Sequence, residues 1–214
     1  MNKLVTPVNV ALLAGLALTA VAGFVLVPVE ATLPVHWNVN GVADGWLPRE
    51  LALLMPIAVV AAVWSIFLGI SRFAAAADVA AGAYVTKVAV TALTGLFLVI
   101  EIVTVLIGTG VAANMVQILA LGIGILLIVL GNAMPKSQPN SFAGLRIPST
   151  LRDPANWQAT HRLTGWLCML GGVVVLVAAV YVPVGQLAWW LIGAIVAPIG
   201  VGTVYSISMS RRTS

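Results

Sequence analysis

Six stretches of about twenty predominantly apolar residues run through this chain, and that feature leaves it few ways to fold. An α-helix needs about 20 apolar residues to cross the hydrocarbon core of a bilayer. Only segments that satisfy their own backbone hydrogen bonds are stable there. The stretches run from about Val8 to Val27, Leu51 to Ile70, Val88 to Gly108, Val116 to Met134, Leu163 to Val182 and Leu187 to Met209. Charged residues make up 7% of the 214, and hydrophobic residues 61%. A soluble domain carries about 25% charge, so this chain has too little polar surface to cover a water-soluble particle. The expected fold class is an all-α membrane protein, a six-transmembrane-helix bundle with a structured outer loop and a structured inner loop. Little length is left for a soluble domain.

The formal net charge of +4 is no nucleic-acid signal, because there is no dense basic run. The cations sit in short segments between spans, where they set orientation. With the N-terminus inside, Lys3, Arg72, Lys87, Lys136, Arg146, Arg152, Arg162, Arg211 and Arg212 fall inside and Arg49 alone outside. Both termini are therefore expected in the cytoplasm (N-in/C-in) of a multi-pass plasma membrane protein. Lys3 before the first stretch has the look of a signal-peptide n-region, but the stretch exceeds the roughly 7–15 residues of an h-region. A retained helix is expected. Cys168 is the single cysteine, so neither an intramolecular disulfide nor a thiolate metal site can form. Gly15, Thr19 and Gly23 recur every four positions, a small-residue stripe that admits a close neighbour helix. Trp189 and Trp190 suit an interface, and Pro198 predicts a kink in the sixth span.

Two loops carry more pattern than a connection needs. The outer one, residues 28–50, contains His36, Asn38, Asp44 and Trp46, with turn pairs at Asn40-Gly41 and Asp44-Gly45. Two tight turns are expected. His36 and Asp44 could serve a metal or proton site, but one His and one carboxylate are too few ligands to assign a metal. The inner loop, residues 135–162, has prolines at 135, 139 and 148 before a helical last third. Asp153 suits the N-cap and Pro154 the first helical position, so one helix should run from there into the fifth span. Trp157, His161 and Thr164 share a face of it. Lys136, Arg146, Arg152 and Arg162 would attract anionic headgroups or an acidic partner.

Glu101 lies mid-span. A charge there costs about 3 kcal/mol or more, so it should face the bundle interior and find a partner. Thr94, Thr104 and Asn114 are the candidates. Glu101 is also a candidate for proton-coupled transport or small-molecule binding, although matching interrupted helices are not evident. No phosphate-cradling glycine loop, dinucleotide fingerprint, HExxH, CxxC or nucleophile elbow is present. A membrane enzyme using His36 or His161 as acid–base group has no identifiable second group. No cofactor is expected.

The inner segment resembles the SdpI family of bacterial multispanning membrane proteins of the immunity type. The resemblance rests on Gly131-Asn132, Pro135-Lys136, Pro139-Asn140, Gly144-Leu145-Arg146, Pro148, Thr150-Leu151, Trp157 and Thr160-His161-Arg162 with Gly165. The outer segment, Pro34-Val35-His36-Trp37-Asn38, Gly41 and Asp44-Gly45-Trp46, is similar to the short domain of unknown function that often precedes it. The resemblance implies two units, residues 1–70 with two spans and residues 71–214 with four. It implies resistance to a secreted antimicrobial peptide met outside, and signalling by drawing a cytoplasmic repressor to the bacterial inner membrane. No direct nucleic-acid contact is implied. The motif positions it carries over as binding candidates are Asn132, Lys136, Asn140, Arg146, Thr150, Trp157, Thr160, His161 and Arg162 inside, and His36, Asn38, Asp44 and Trp46 outside. The chain departs from the family pattern at Ser149, where tryptophan is common, and at Ser141, where an aromatic is common.

Overall fold

A computed structural model describes residues 4–212; Lys3, counted above, lies outside them. Seven α-helices and one two-stranded hairpin follow in the order α1 (Pro7–Leu26), β1 (Thr32–Trp37), β2 (Ala43–Pro48), α2 (Arg49–Phe73), α3 (Ala76–Gly108), α4 (Met115–Ala133), α5 (Pro148–Arg152), α6 (Pro154–Tyr181) and α7 (Leu187–Arg212). Six of the helices, all but α5, are long and apolar enough to span a membrane. This is a multipass membrane protein. Its exposed surface is dominated by aliphatic side chains such as Leu18, Val25, Ile125, Val177 and Val204, as a lipid-facing surface requires.

Helix boundaries follow local chemistry. Thr6 caps α1, its hydroxyl accepting from Asn9 N at 3.2 Å, with Pro7 in the first turn. Asp153 caps α6 by accepting from Ala155 N at 2.8 Å, and the helix runs unbroken from Pro154 through the fifth span, as its sequence predicts. One boundary differs: α3 begins at Ala76, well before Val88. The segment from Ala76 to Lys87 is alanine-rich, so it extends the helix without extending the strongly apolar run. Pro56 and Pro198 lie inside α2 and α7 without ending either helix.

The tightest packing is between α4 and α6, across two glycine pairs. A Cβ on Gly165 would lie 2.4 Å from the Gly131 carbonyl oxygen, and one on Gly172 would lie 2.5 Å from that of Gly124. The helices can approach this closely only because neither side has a side chain there. Gln117 ties the same pair together, donating to the Ala179 carbonyl at 2.8 Å. The Gly15-Thr19-Gly23 stripe of α1 faces α2 and α3: Leu98 packs at Gly15, and Leu53 and Val105 pack at Gly23.

The end of the bundle carrying the hairpin is closed by Val27, Leu33, Ala52, Leu53 and Val105, which form one buried cluster. Arg49, the one cation assigned outside, is nearly buried. It donates to the Val27 carbonyl at 3.0 Å and to Glu50 at 2.8 Å, so it caps the last turn of α1. The hairpin corrects one expectation. Only one tight turn forms, at Asn38–Val42, where Asn38 Oδ1 accepts from Asn40 N and Val42 N and Gly41 has φ +76°. Asp44-Gly45 lies within β2, opposite His36 in an irregular stretch of the ladder. A Cβ on Gly45 would lie 2.8 Å from His36 Cβ, so this glycine makes cross-strand room. The tip of the hairpin rests on the 3-10 turn Val184–Gln186 that joins α6 to α7, with Gly41 against Val184.

Candidate functional site

At the opposite end, the loop between α4 and α6 is ordered by buried polar groups whose hydrogen bonds are mostly local. Asn140 folds its own turn: Oδ1 accepts from Phe142 N (3.1 Å) and Ala143 N (2.8 Å), and Nδ2 donates to the Gln138 carbonyl (2.8 Å). Thr150 accepts from Ile147 N at 3.1 Å, and its hydroxyl reaches the Leu145 and Ile147 carbonyls. Trp157 donates to Ser137 and stacks on His161 with ring centroids 4.0 Å apart. Leu145 N donates to His161 Nε2 at 2.9 Å, so the ring carries its proton on Nδ1, which donates to the Trp157 carbonyl at 2.8 Å. The loop can come this near only at Gly144, where φ is +101° and a Cβ would collide with His161 Nε2.

A second network crosses to α7. Thr160 donates to Asn156 Oδ1 (2.9 Å), Asn156 Nδ2 donates to the Ser206 carbonyl (2.9 Å), and Ser206 also pairs with Ser149 (2.7 Å). The two departures from the family pattern are thus both engaged: Ser149 holds α5 to α7, and Ser141 donates to Asp78 at the start of α3.

The inner candidates therefore divide. Asn140, Thr150, Trp157, Thr160 and His161 are buried with their polar atoms occupied by the chain itself. Asn132, Lys136, Arg146 and Arg162 are exposed. Lys136 reaches Tyr84, its Nζ 3.2 Å from the hydroxyl, and Arg146 donates to the Ser141 carbonyl. Lys136, Arg146 and His161 thus go to three different places, and His161 has no free nitrogen for acid–base work. At the other end, His36 Nδ1 and Asp44 Oδ1 stand 2.5 Å apart on the exposed hairpin, and Trp46 is 56% exposed. Among the described residues, no group of three or more His, Cys, Asp or Glu side chains could hold a metal.

Glu101 faces inward, between the level where Leu98 meets Gly15 and the level where Val105 meets Gly23 and Leu53. It is fully buried, and among the described residues neither carboxyl oxygen has a hydrogen-bond partner. The expected partners are engaged elsewhere: Thr94 accepts from Trp64 Nε1, Thr104 bonds the Ile100 carbonyl, and Asn114 caps α4. Among the described residues, Glu101 lines none of the five leading cavities.

Residues 136–206, the knitted loop with α6 and most of α7, match the SdpI/YfhL protein family. This part of the chain is similar to that family. Residues 14–60, from α1 through the hairpin into α2, match the Domain of unknown function (DUF1648). Over 86 residues, 40% of the chain, the sequence is 33% identical to the Immunity protein SdpI of Bacillus subtilis (strain 168), and the match spans 42% of that protein's length. No solved structure matches.

The segment that matches the family thus includes much of the loop end that its motif residues build. Sequence reading passed over Ser137, Asn156 and Ser206, which complete the networks. Asn156 stands four residues before Thr160 on one face of α6, a spacing that could have marked it, whereas Ser137 and Ser206 leave no such signal because they meet Trp157 and Asn156 across elements. The glycine seam did leave a signal: Gly124 and Gly131, and Gly165 and Gly172, each stand seven apart, which returns to one helix face.

Proposed function

We propose that this protein confers resistance to a secreted antimicrobial peptide, with the hairpin outside meeting the peptide and the knitted loop inside meeting a cytoplasmic repressor. The observation that carries the reading is the 33% identity to an immunity protein. The hairpin supports it, because it displays Val39, Val42 and Trp46 exposed beside the His36–Asp44 pair, away from the apolar spans. An apolar patch with an aromatic anchor on a rigid turn is a surface on which an amphipathic peptide can dock. The nine-to-one distribution of cations supports a cytoplasmic position for the loop end and both termini. Two units, residues 1–70 and 71–214, would then divide the work between the two faces. The test is expression in a peptide-sensitive bacterium. The protein should raise the tolerated peptide concentration, and Trp46→Ala with Val42→Ser should remove that gain at unchanged membrane abundance. Unchanged sensitivity on expression of the intact protein refutes the reading.

The unpartnered Glu101 favours a second reading, in which its carboxyl binds a proton or small ligand during transport. Glu101→Gln should then abolish activity at normal expression. The full burial of Glu101 weighs against this reading.

A further inference from the structure

We propose that the pocket between α5 and the last turns of α7 binds the phosphate group of an anionic phospholipid. The pocket encloses about 460 Å³ and is lined by Ile147, Pro148, Ser149, Arg152, Ile207 and Arg211, among others. Two arginines from elements far apart in sequence, Arg152 and Arg211, line this one concavity. Among the described residues neither has a hydrogen-bond or ion-pair partner. Among the described residues, no acidic residue lines the pocket. The nearest acid along the chain, Asp153, turns its carboxylate to Ala155 N at the start of α6. Two like charges with no counter-charge repel one another, and an anion between them relieves this. Guanidinium groups match phosphate oxygens in geometry as well as charge.

The remaining walls select the carrier of the phosphate. Ile147 and Ile207 are apolar, and Ile207 is 42% exposed on a membrane-spanning helix. Val204 and Val201 continue that exposed apolar surface along α7. A headgroup held by Arg152 and Arg211 would therefore lay its acyl chain on α7. Basic pockets at the ends of spanning helices are suited to anionic headgroups. This inference does not depend on any role in peptide resistance.

The test uses the whole protein purified in detergent. Native mass spectrometry would compare phosphatidylglycerol with phosphatidylcholine of the same chain length, with and without inorganic phosphate. The intact protein should retain phosphatidylglycerol in preference to phosphatidylcholine. Arg152→Gln with Arg211→Gln should weaken phosphatidylglycerol binding about tenfold or more and leave phosphatidylcholine unaffected. Ile207→Trp keeps both charges and the Ser149–Ser206 bond but fills the pocket, and should cause the same loss. Each variant is accepted only if it elutes as a single species with an unchanged melting temperature, so the two check one another. Equal phosphatidylglycerol binding by the intact protein and the double variant overturns the proposal. A loss in the double variant but none in Ile207→Trp also overturns it, since the charges then act without the pocket. Displacement of the lipid by millimolar inorganic phosphate would assign the site to the free anion; persistence of the lipid assigns it to the headgroup.

Discussion

Two buried polar side chains, His161 in α6 and Glu101 in α3, are fully removed from solvent, yet the fold treats them in opposite ways. His161 has both ring nitrogens occupied by backbone groups and a ring face covered by Trp157. Glu101 has two oxygens and no partner for either among the described residues. A satisfied buried polar group holds a particular geometry, whereas an unsatisfied one costs free energy without returning structure. The contrast separates a residue that builds the site from one retained despite its cost. Residues of the first kind are poor candidates for touching a partner, even when a family motif singles them out.

The largest effect should come from breaking the satisfied side. His161→Leu leaves the Leu145 amide without its acceptor and removes the stack on Trp157. We expect a loss of about 2–4 kcal/mol, from one unsatisfied buried amide plus the aromatic contact. It would be read as a lowered melting temperature in detergent and early proteolysis within residues 137–147. A stable, protease-resistant His161→Leu would mean that the loop is held elsewhere. Gly165→Ala probes the same end through packing, placing a methyl group 2.4 Å from the Gly131 carbonyl oxygen. The overpacking cost is about 1–3 kcal/mol, again seen in thermal unfolding, while Gly95→Ala, where nothing lies within 4 Å, should be nearly silent.

The opposite sign is expected on the unsatisfied side. Glu101→Leu removes two orphaned oxygens and should stabilise the fold by about 1–2 kcal/mol. A raised melting temperature together with lost peptide resistance would assign Glu101 to function. A lowered melting temperature would show that the carboxyl has a partner after all, and the contrast with His161 would collapse.

What was legible in the sequence follows the range of the forces involved. The spans could be read because a run of about twenty apolar residues leaves one backbone solution in lipid. Asp153 and Pro154 could be read because capping acts within one helical turn. The motif residues of the loop end were visible too, but their partners were not: Trp157 finds Ser137, and Thr160 connects through Asn156 to Ser206 on another helix. The hairpin misled because Asp44-Gly45 has the local chemistry of a turn. The register with His36, a contact across the strands, uses that glycine for space instead. Glu101 was found in the sequence, and its isolation was not, because which side chains face it depends on how α1, α2 and α3 pack.

The smallest effect on stability belongs to Asn132 and Arg162, and it is the most informative about function. Both are exposed, and neither has a hydrogen-bond or ion-pair partner among the described residues. Replacement of such side chains changes stability by no more than about 0.5 kcal/mol. Asn132→Ala with Arg162→Gln should therefore melt with the intact protein. If the knitted loop presents a surface to a cytoplasmic repressor, the same pair should release that protein from the membrane, seen as a diffuse rather than peripheral fluorescent fusion. His161→Leu would release it as well, but with a lowered melting temperature, because it dismantles the platform. Release without destabilisation in one variant and with it in the other would distinguish the residues that touch the partner from those that hold them in place.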